Sequence, residues 1–138
     1  MFPKLSNRSN RKGDKLIVLL VDVDNFKFIN DNYDHETGDN VLRDVSRVLT
    51  QITRKSDFVV RWGGDEFLVV LPSVTESGAE RLGQRLYQEL GAGQSFGKLV
   101  VPIAVSVGHA VYPNEGSSLS ELLRIADKRM YMQKVKRR

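Results

Sequence analysis

The stretch Arg61-Trp62-Gly63-Gly64-Asp65-Glu66-Phe67 places two glycines directly before two adjacent carboxylates. Asp57 to Trp62 reads as a strand entering a turn, and Phe67 to Leu71 as a strand leaving it. Glycine tolerates φ > 0, so a Gly-Gly pair between such runs marks a tight hairpin. That hairpin would carry two acids at its tip, beside backbone that a ligand can approach closely. Paired carboxylates there suit a hard divalent cation, which prefers oxygen ligands. A polar surface hairpin with incidental acids is the competing reading.

A second acidic element lies upstream. Leu16-Ile17-Val18-Leu19-Leu20-Val21 is an unbroken apolar run that ends in Asp22-Val23-Asp24. The run has the pattern of a central strand buried on both faces. Carboxylates at the end of such a strand cost desolvation energy unless something compensates, and a metal would. Asp24 is assigned as the cap of a short helix from Asn25 to about Asp31, and Asp22 is assigned to metal. Together with the hairpin acids this makes a magnesium site.

The elements that must position these acids follow from periodicity. Residues 1–14 are polar and read as a loop lead-in. Val41, Leu42, Val45, Val48, Leu49 and Ile52 repeat at helical spacing, predicting an amphipathic helix from about Thr37 to Thr53. Ala79, Leu82, Leu86 and Leu90 mark another, opened by a capping box from Ser77 to Glu80. Gly91 to Gly97 reads as a glycine-rich loop, and Leu99 to Gly108 as a strand region made irregular or peripheral by Pro102. A last helix runs from about Ser118, with Glu121 completing a second capping box. This order predicts an α+β or α/β domain, one mixed central sheet flanked by helices.

Composition narrows the class. The chain of 138 residues is one domain large enough to bury a core without staples. It has no cysteine, which excludes disulfides and thiolate zinc sites. No apolar run approaches the roughly 20 residues that span a bilayer, and no signal peptide precedes the first strand, so a cytoplasmic location without direct membrane contact is expected. The net charge of +4 favours anionic ligands. Much of the excess sits in two clusters, Arg8 to Lys15 and Lys134 to Arg138, which read as solvated runs rather than a nucleic-acid surface.

The string Val21-Asp22-Val23-Asp24-Asn25-Phe26-Lys27-Phe28-Ile29-Asn30-Asp31, followed by Tyr33, His35, Gly38 and Asp39, resembles the GGDEF family of diguanylate cyclases, which join two GTP molecules into cyclic di-GMP. Val105-Ser106-Val107-Gly108 and Ala126-Asp127-Lys128-Arg129-Met130-Tyr131 also look like family signatures, and the resemblance runs from about Leu5 to Arg138. It implies a palm-like nucleotide cyclase fold in which the first strand and the hairpin lie side by side, bringing Asp22 to Asp65 and Glu66. By resemblance these three acids and the Val23 carbonyl hold Mg²⁺ or Mn²⁺, and Asp65 or Glu66 also assists deprotonation. Gly63 and Gly64 let the hairpin pack against the nucleotide. Asn30 and Asp39, with His35 alongside, take the guanine edge. On spacing alone, Asn30 would end a helix and Asp39 would cap one. Lys27, Lys134 and Arg138 match phosphate-binding positions.

Arg54-Lys55-Ser56-Asp57 fits the family's RxxD inhibitory site for cyclic di-GMP, with Arg85 as a further arginine; a surface ion pair is the bland meaning of such a string. The chain departs from the family pattern at several points. Asp34 replaces a usual glycine, His109 a usual apolar residue, and Arg137 a usual glycine before Arg138. The leading residues of the opening motif and a final strand are absent, so the sequence reads as an excised catalytic domain or a short member. The expected activity is that of a homodimer with one GTP per domain and product inhibition. A catalytically silent receptor for GTP or cyclic di-GMP is the rival, and intact Asp22, Gly63, Gly64, Asp65 and Glu66 argue against it. A cyclase for another dinucleotide is disfavoured by Asn30 and Asp39.

Overall fold

A computed structural model describes residues 15–91, 94–96, 99–101 and 103–136. The lead-in at 1–14, Pro102 and Arg138 lie outside the described residues. The elements in order are β1 (Lys15–Val23), α1 (Phe26–Asn32), α2 (His35–Ile52), β2 (Phe58–Arg61), β3 (Glu66–Val74), α3 (Glu76–Gly91), β4 (Gln94–Phe96), β5 (Leu99–Val101), β6 (Val105–Tyr112) and α4 (Leu119–Lys136). Four strands form one sheet in the order β2-β3-β1-β6, and β4 pairs with β5 in a second.

β1 is central because its residues are apolar in both phases. Ile17, Leu19, Val21 and Val23 face a core built with Val41, Val45, Val48 and Leu49 of α2 and Ala79, Leu86 and Leu90 of α3. Leu16, Val18 and Leu20 face a second core closed by Leu122, Ala126 and Met130 of α4. Helices on both sides therefore explain the unbroken apolar run. Gly108 of β6 is a point of close approach: a Cβ there would overlap the backbone of Ala126 and Met130, so α4 lies directly on the strand.

The sheet expected to be mixed has only antiparallel pairs. β1 and β2 do run in the same direction, but β3 is inserted between them. Two further expectations need correction. The glycine-rich loop from Gly91 to Gly97 contains β4, whose backbone pairs with β5 from Gln94↔Val101 to Phe96↔Leu99. Strand β6 also continues through His109 to Tyr112.

The helix starts are chemically ordinary, though not always where sequence put them. Asp34 accepts from the Thr37 amide at 2.7 Å and caps α2. This bond holds the Asp34 carboxyl below its usual range. Thr75, rather than Ser77, caps α3, accepting from the Gly78 amide at 3.1 Å. Ser118 accepts from the Glu121 amide at 3.2 Å and donates to its carboxylate, close to the expected box.

Candidate functional site

The register of β1 and β3 builds the site. Asp22 lies directly opposite Glu66, in phase with Leu20 and Leu68, so both acids project from the α4 side of the sheet. On its other flank Asp22 is paired with Ser106 of β6. Like charges directly opposite each other destabilise a strand pair. The nearest relief is Lys134 of α4, whose ammonium donates to Asp22 Oδ2. Asp22 Oδ1 is buried and accepts no hydrogen bond.

The hairpin tip is held by its own backbone and by one arginine. The amides of Trp62 and Gly63 both donate to the Glu66 carbonyl, at 2.9 and 3.2 Å. Arg61 donates to the Gly64 carbonyl at 2.7 Å. The Val23 amide donates to the Asp65 carbonyl at 3.0 Å, which ties the tip to the end of β1. Trp62, beside the glycines, is 49% exposed. Neither Gly63 nor Gly64 has a left-handed φ, so the hairpin does not need them for that reason. A Cβ on Gly63 would press on Glu66 Oε1 at 3.1 Å, whereas one on Gly64 would meet nothing within 4 Å. The face of Gly64 is open.

Burial, reinforced by charge crowding, raises both paired acids. Burial pushes the Asp22 carboxyl up, opposed by the hydrogen bond from Lys134 and reinforced by the charge of Asp65. Burial also raises Glu66, with added repulsion from Asp22, Asp65 and Asp127. For Lys134, burial is the largest single influence and lowers it. The bond to Asp22 and the charges of Asp22, Asp24 and Asp65 together prevail and hold it above its usual value. Among the described residues no three acid or imidazole side chains converge into a ready-made cation cluster. An orphaned buried oxygen beside further carboxylates does fit Mg²⁺, which takes one or two protein carboxylates and completes its shell with water and substrate phosphates.

Contrary to expectation, Asp24 does not cap α1. Its Oδ1 accepts from the buried Ser106 hydroxyl at 2.7 Å, and Asn25 occupies the N-cap with no side-chain cap bond. Lys27 is exposed in the first turn of α1, and His35 is exposed at the start of α2. The Asn30 amide lies in the space left by the missing Cβ of Gly38, next to Asp39 in sequence. Asp39 lines a cavity of about 400 Å³ with Leu42, Arg43, Val59, Arg61 and Phe67, and Asn30 is not among its lining residues.

The Arg54–Asp57 motif forms a turn at the entrance to β2. Asp57, with a side chain 2% exposed, accepts from the Arg54 amide at 2.7 Å, while the guanidinium stands 3.7 Å from its other oxygen. Arg54 remains more than half exposed and borders a cavity of about 350 Å³ with Thr50, Thr53 and Lys55. Arg85, exposed on α3, does not line that cavity.

Sequence reasoning missed Arg61, Asp127 and Ser106. Asp127 stands seven residues before Lys134, a spacing that puts both on one helical face. Ser106 is revealed only by strand pairing.

A family model described as the diguanylate cyclase GGDEF domain matches residues 2–138. The chain belongs to the GGDEF family. This GGDEF domain is 35% identical to diguanylate cyclase DosC of Escherichia coli, over 97% of the chain and 29% of the relative. It is 36% identical to the cyclic di-GMP phosphodiesterase NbdA of Pseudomonas aeruginosa, over 90% of the chain and 16% of the relative. The chain thus spans under a third of the length of these curated relatives. Among solved structures it is similar to the GGDEF domain of DgcB from Caulobacter crescentus in complex with cyclic di-GMP. The TM-score is 0.85 at 26% identity, covering 99% of this chain and 84% of that one.

Proposed function

We propose that this GGDEF domain is a diguanylate cyclase, a nucleotidyltransferase that condenses two GTP into cyclic di-GMP and two pyrophosphates. The observation that carries the reading is the Asp22–Glu66 pair, two crowded acids with an orphaned oxygen beside the hairpin. In each of two equivalent steps a ribose 3′-hydroxyl attacks the α-phosphate of the other nucleotide. The P–O bond to pyrophosphate breaks, and the hydroxyl proton leaves.

Asp22, Asp65, Glu66 and the Val23 carbonyl would hold Mg²⁺ or Mn²⁺. When bound there, the ion would supply Lewis acidity toward the attacking hydroxyl and positive charge against the phosphates. The protein's own groups do the rest. Asp65 or Glu66 accepts the proton; the Glu66 carboxyl is raised by burial and by its acidic neighbours. Lys27 and Lys134 face the triphosphate, and Arg138 is a third phosphate cation. Asn30, His35 and Asp39 read the guanine edge, whose N1–H and N2–H₂ donors need acceptor oxygens. Gly63 sets the hairpin against Glu66, and the open face of Gly64 leaves room for the nucleotide. Each domain binds one GTP, so the working unit is a two-fold dimer. Cyclic di-GMP acts back through Arg54, Asp57 and Arg85. Of these, Arg54 and Arg85 present exposed cations, while the carboxylate of Asp57 mainly shapes the turn.

A catalytically silent receptor domain is the second reading, favoured by the similarity to a protein named as a phosphodiesterase. One experiment separates the two. Concentrated domain is incubated with GTP and Mg²⁺, and the product is identified by mass spectrometry. We expect cyclic di-GMP, and its loss in Asp22→Asn and Glu66→Gln at unchanged fold. Near-normal turnover in either variant would remove the assigned acids from catalysis. No product from the intact domain, with cyclic di-GMP still bound, would leave the receptor.

A further inference from the structure

The open edge of the sheet carries a contact that the acidic site does not use. In the described sheet β6 pairs with β1 on one side only. An edge amide pointing away from its partner strand needs another acceptor. The Val107 amide finds one in Gln133 Oε1, at 2.6 Å. The same oxygen accepts from the Tyr87 hydroxyl at 2.5 Å. Gln133 belongs to α4 on one face of the sheet and Tyr87 to α3 on the other, so this side chain ties the two helical layers together around the edge of β6.

The contact matters because of its neighbour in the chain. Lys134, the next residue, reaches Asp22 on β1. Its ammonium sits on a long stem whose ordering costs entropy. Such a group is held at one carboxylate only if its backbone is fixed. Burial fixes α4 as far as Met130, through Leu122, Ala126 and Met130. Beyond that point Tyr131, Met132 and Val135 are 61%, 55% and 49% exposed, so apolar packing does not hold the last turn. Gln133 does.

We propose that Gln133 is a positioning residue: its clasp on Val107 and Tyr87 fixes the last turn of α4 so that the Lys134 ammonium stands at Asp22. That Lys134 serves the triphosphate there rests on the proposed cyclase function; the clasp itself does not.

Two measurements separate the clasp from that function. The first reads Lys134 directly, as its rate of acylation by an amine-reactive ester, followed by mass spectrometry without nucleotide. Gln133→Met keeps the bulk and removes the acceptor. It should speed labelling of Lys134 several-fold, as Asp22→Asn does, with Lys128 unchanged as an internal control. Tyr87→Phe removes one donor at a distance from the acids and should give a smaller rise in the same direction; it also serves if Gln133→Met does not fold. Lys134 labelling unchanged in both variants, while Asp22→Asn raises it, would overturn the proposal.

The second measurement titrates a non-reacting GTP analogue with Mg²⁺. Gln133→Met should weaken its affinity roughly three- to tenfold, the scale of one network of neutral hydrogen bonds. In a Lys134→Met background the same change should do almost nothing. An equal loss in both backgrounds would show that Gln133 acts independently of Lys134, and would end the proposal. Faster labelling in Gln133→Met with full GTP affinity in Lys134→Met would sustain the clasp and remove Lys134 from the nucleotide site.

Discussion

Gly38 shows what one missing methyl group accomplishes at the scale of a residue. A Cβ at this position would overlap the Asn30 amide oxygen and come within 2.9 Å of its Cγ, so the slot against α2 exists only because the residue is glycine. Gly38→Ala should push the Asn30 amide aside and weaken GTP binding roughly tenfold, the cost of a guanine edge left without its acceptor. ATP, which lacks those donors, should bind as before. Titration of both nucleotides checks this, and an equal loss for both would take Asn30 out of base recognition. The juxtaposition of the acids was legible at this scale. Asp22, Asp65 and Glu66 stand out because carboxylates next to apolar runs are costly. The roles of Asp24 and Gln133 were not legible. A side chain that bonds a strand far away in sequence, as Asp24 bonds Ser106 and Gln133 bonds Val107, leaves no local pattern.

Helices and strands were read well where periodicity is strong, as in α2 and β1, and poorly where pairing alone defines them. β4 is three residues among glycines, and only its partner β5 makes it a strand. The contact of α4 with β6 has the same long-range character. Gly108→Ala would drive a methyl group into the backbone of Ala126 and Met130. We expect a loss of about 1–3 kcal/mol in urea unfolding, the usual cost of overpacking. A loss under about 0.5 kcal/mol would mean that the helix lifts off freely. The other end of this contact is electrostatic. Glu115 accepts from the Val111 amide at 3.0 Å and pairs with Arg129, which also donates to the His109 carbonyl at 2.9 Å. The hydrogen bond from Arg129 holds the Glu115 carboxyl below its ordinary value of 4.5. A depressed carboxyl contributes stability above the unfolded pKa and loses it as pH falls through the lower folded value. The pair is partly exposed, so its worth is under about 1 kcal/mol. The stability gap between the protein and Glu115→Gln should therefore shrink between pH 7 and pH 3. A gap equal at both would assign the effect of Glu115 to its bond with Val111 alone.

For the whole molecule, topology decides what a single copy can do. β1, β3 and the last turn of α4 assemble one set of acids and one lysine. In the proposed reaction that set serves one triphosphate, and two nucleotides that attack each other would need a second copy. No sustained heptad in the sequence offers a dedicated dimerisation element, so the isolated domain should be mainly monomeric. Its rate should rise faster than linearly with protein concentration. Strict proportionality in a sample shown to be monomeric by sedimentation would contradict the shared site. The family-level architecture was readable from several ordered motifs, while the all-antiparallel pairing depended on β3 lying between β1 and β2, which local pattern does not specify.

The chain contains one tryptophan, and it is Trp62, half-exposed at the hairpin tip beside the two glycines. The indole is thus a built-in optical reporter. Its emission colour and its accessibility to a soluble quencher should report on anything that covers the hairpin tip, in the unlabelled protein and with no background from a second indole in this sequence.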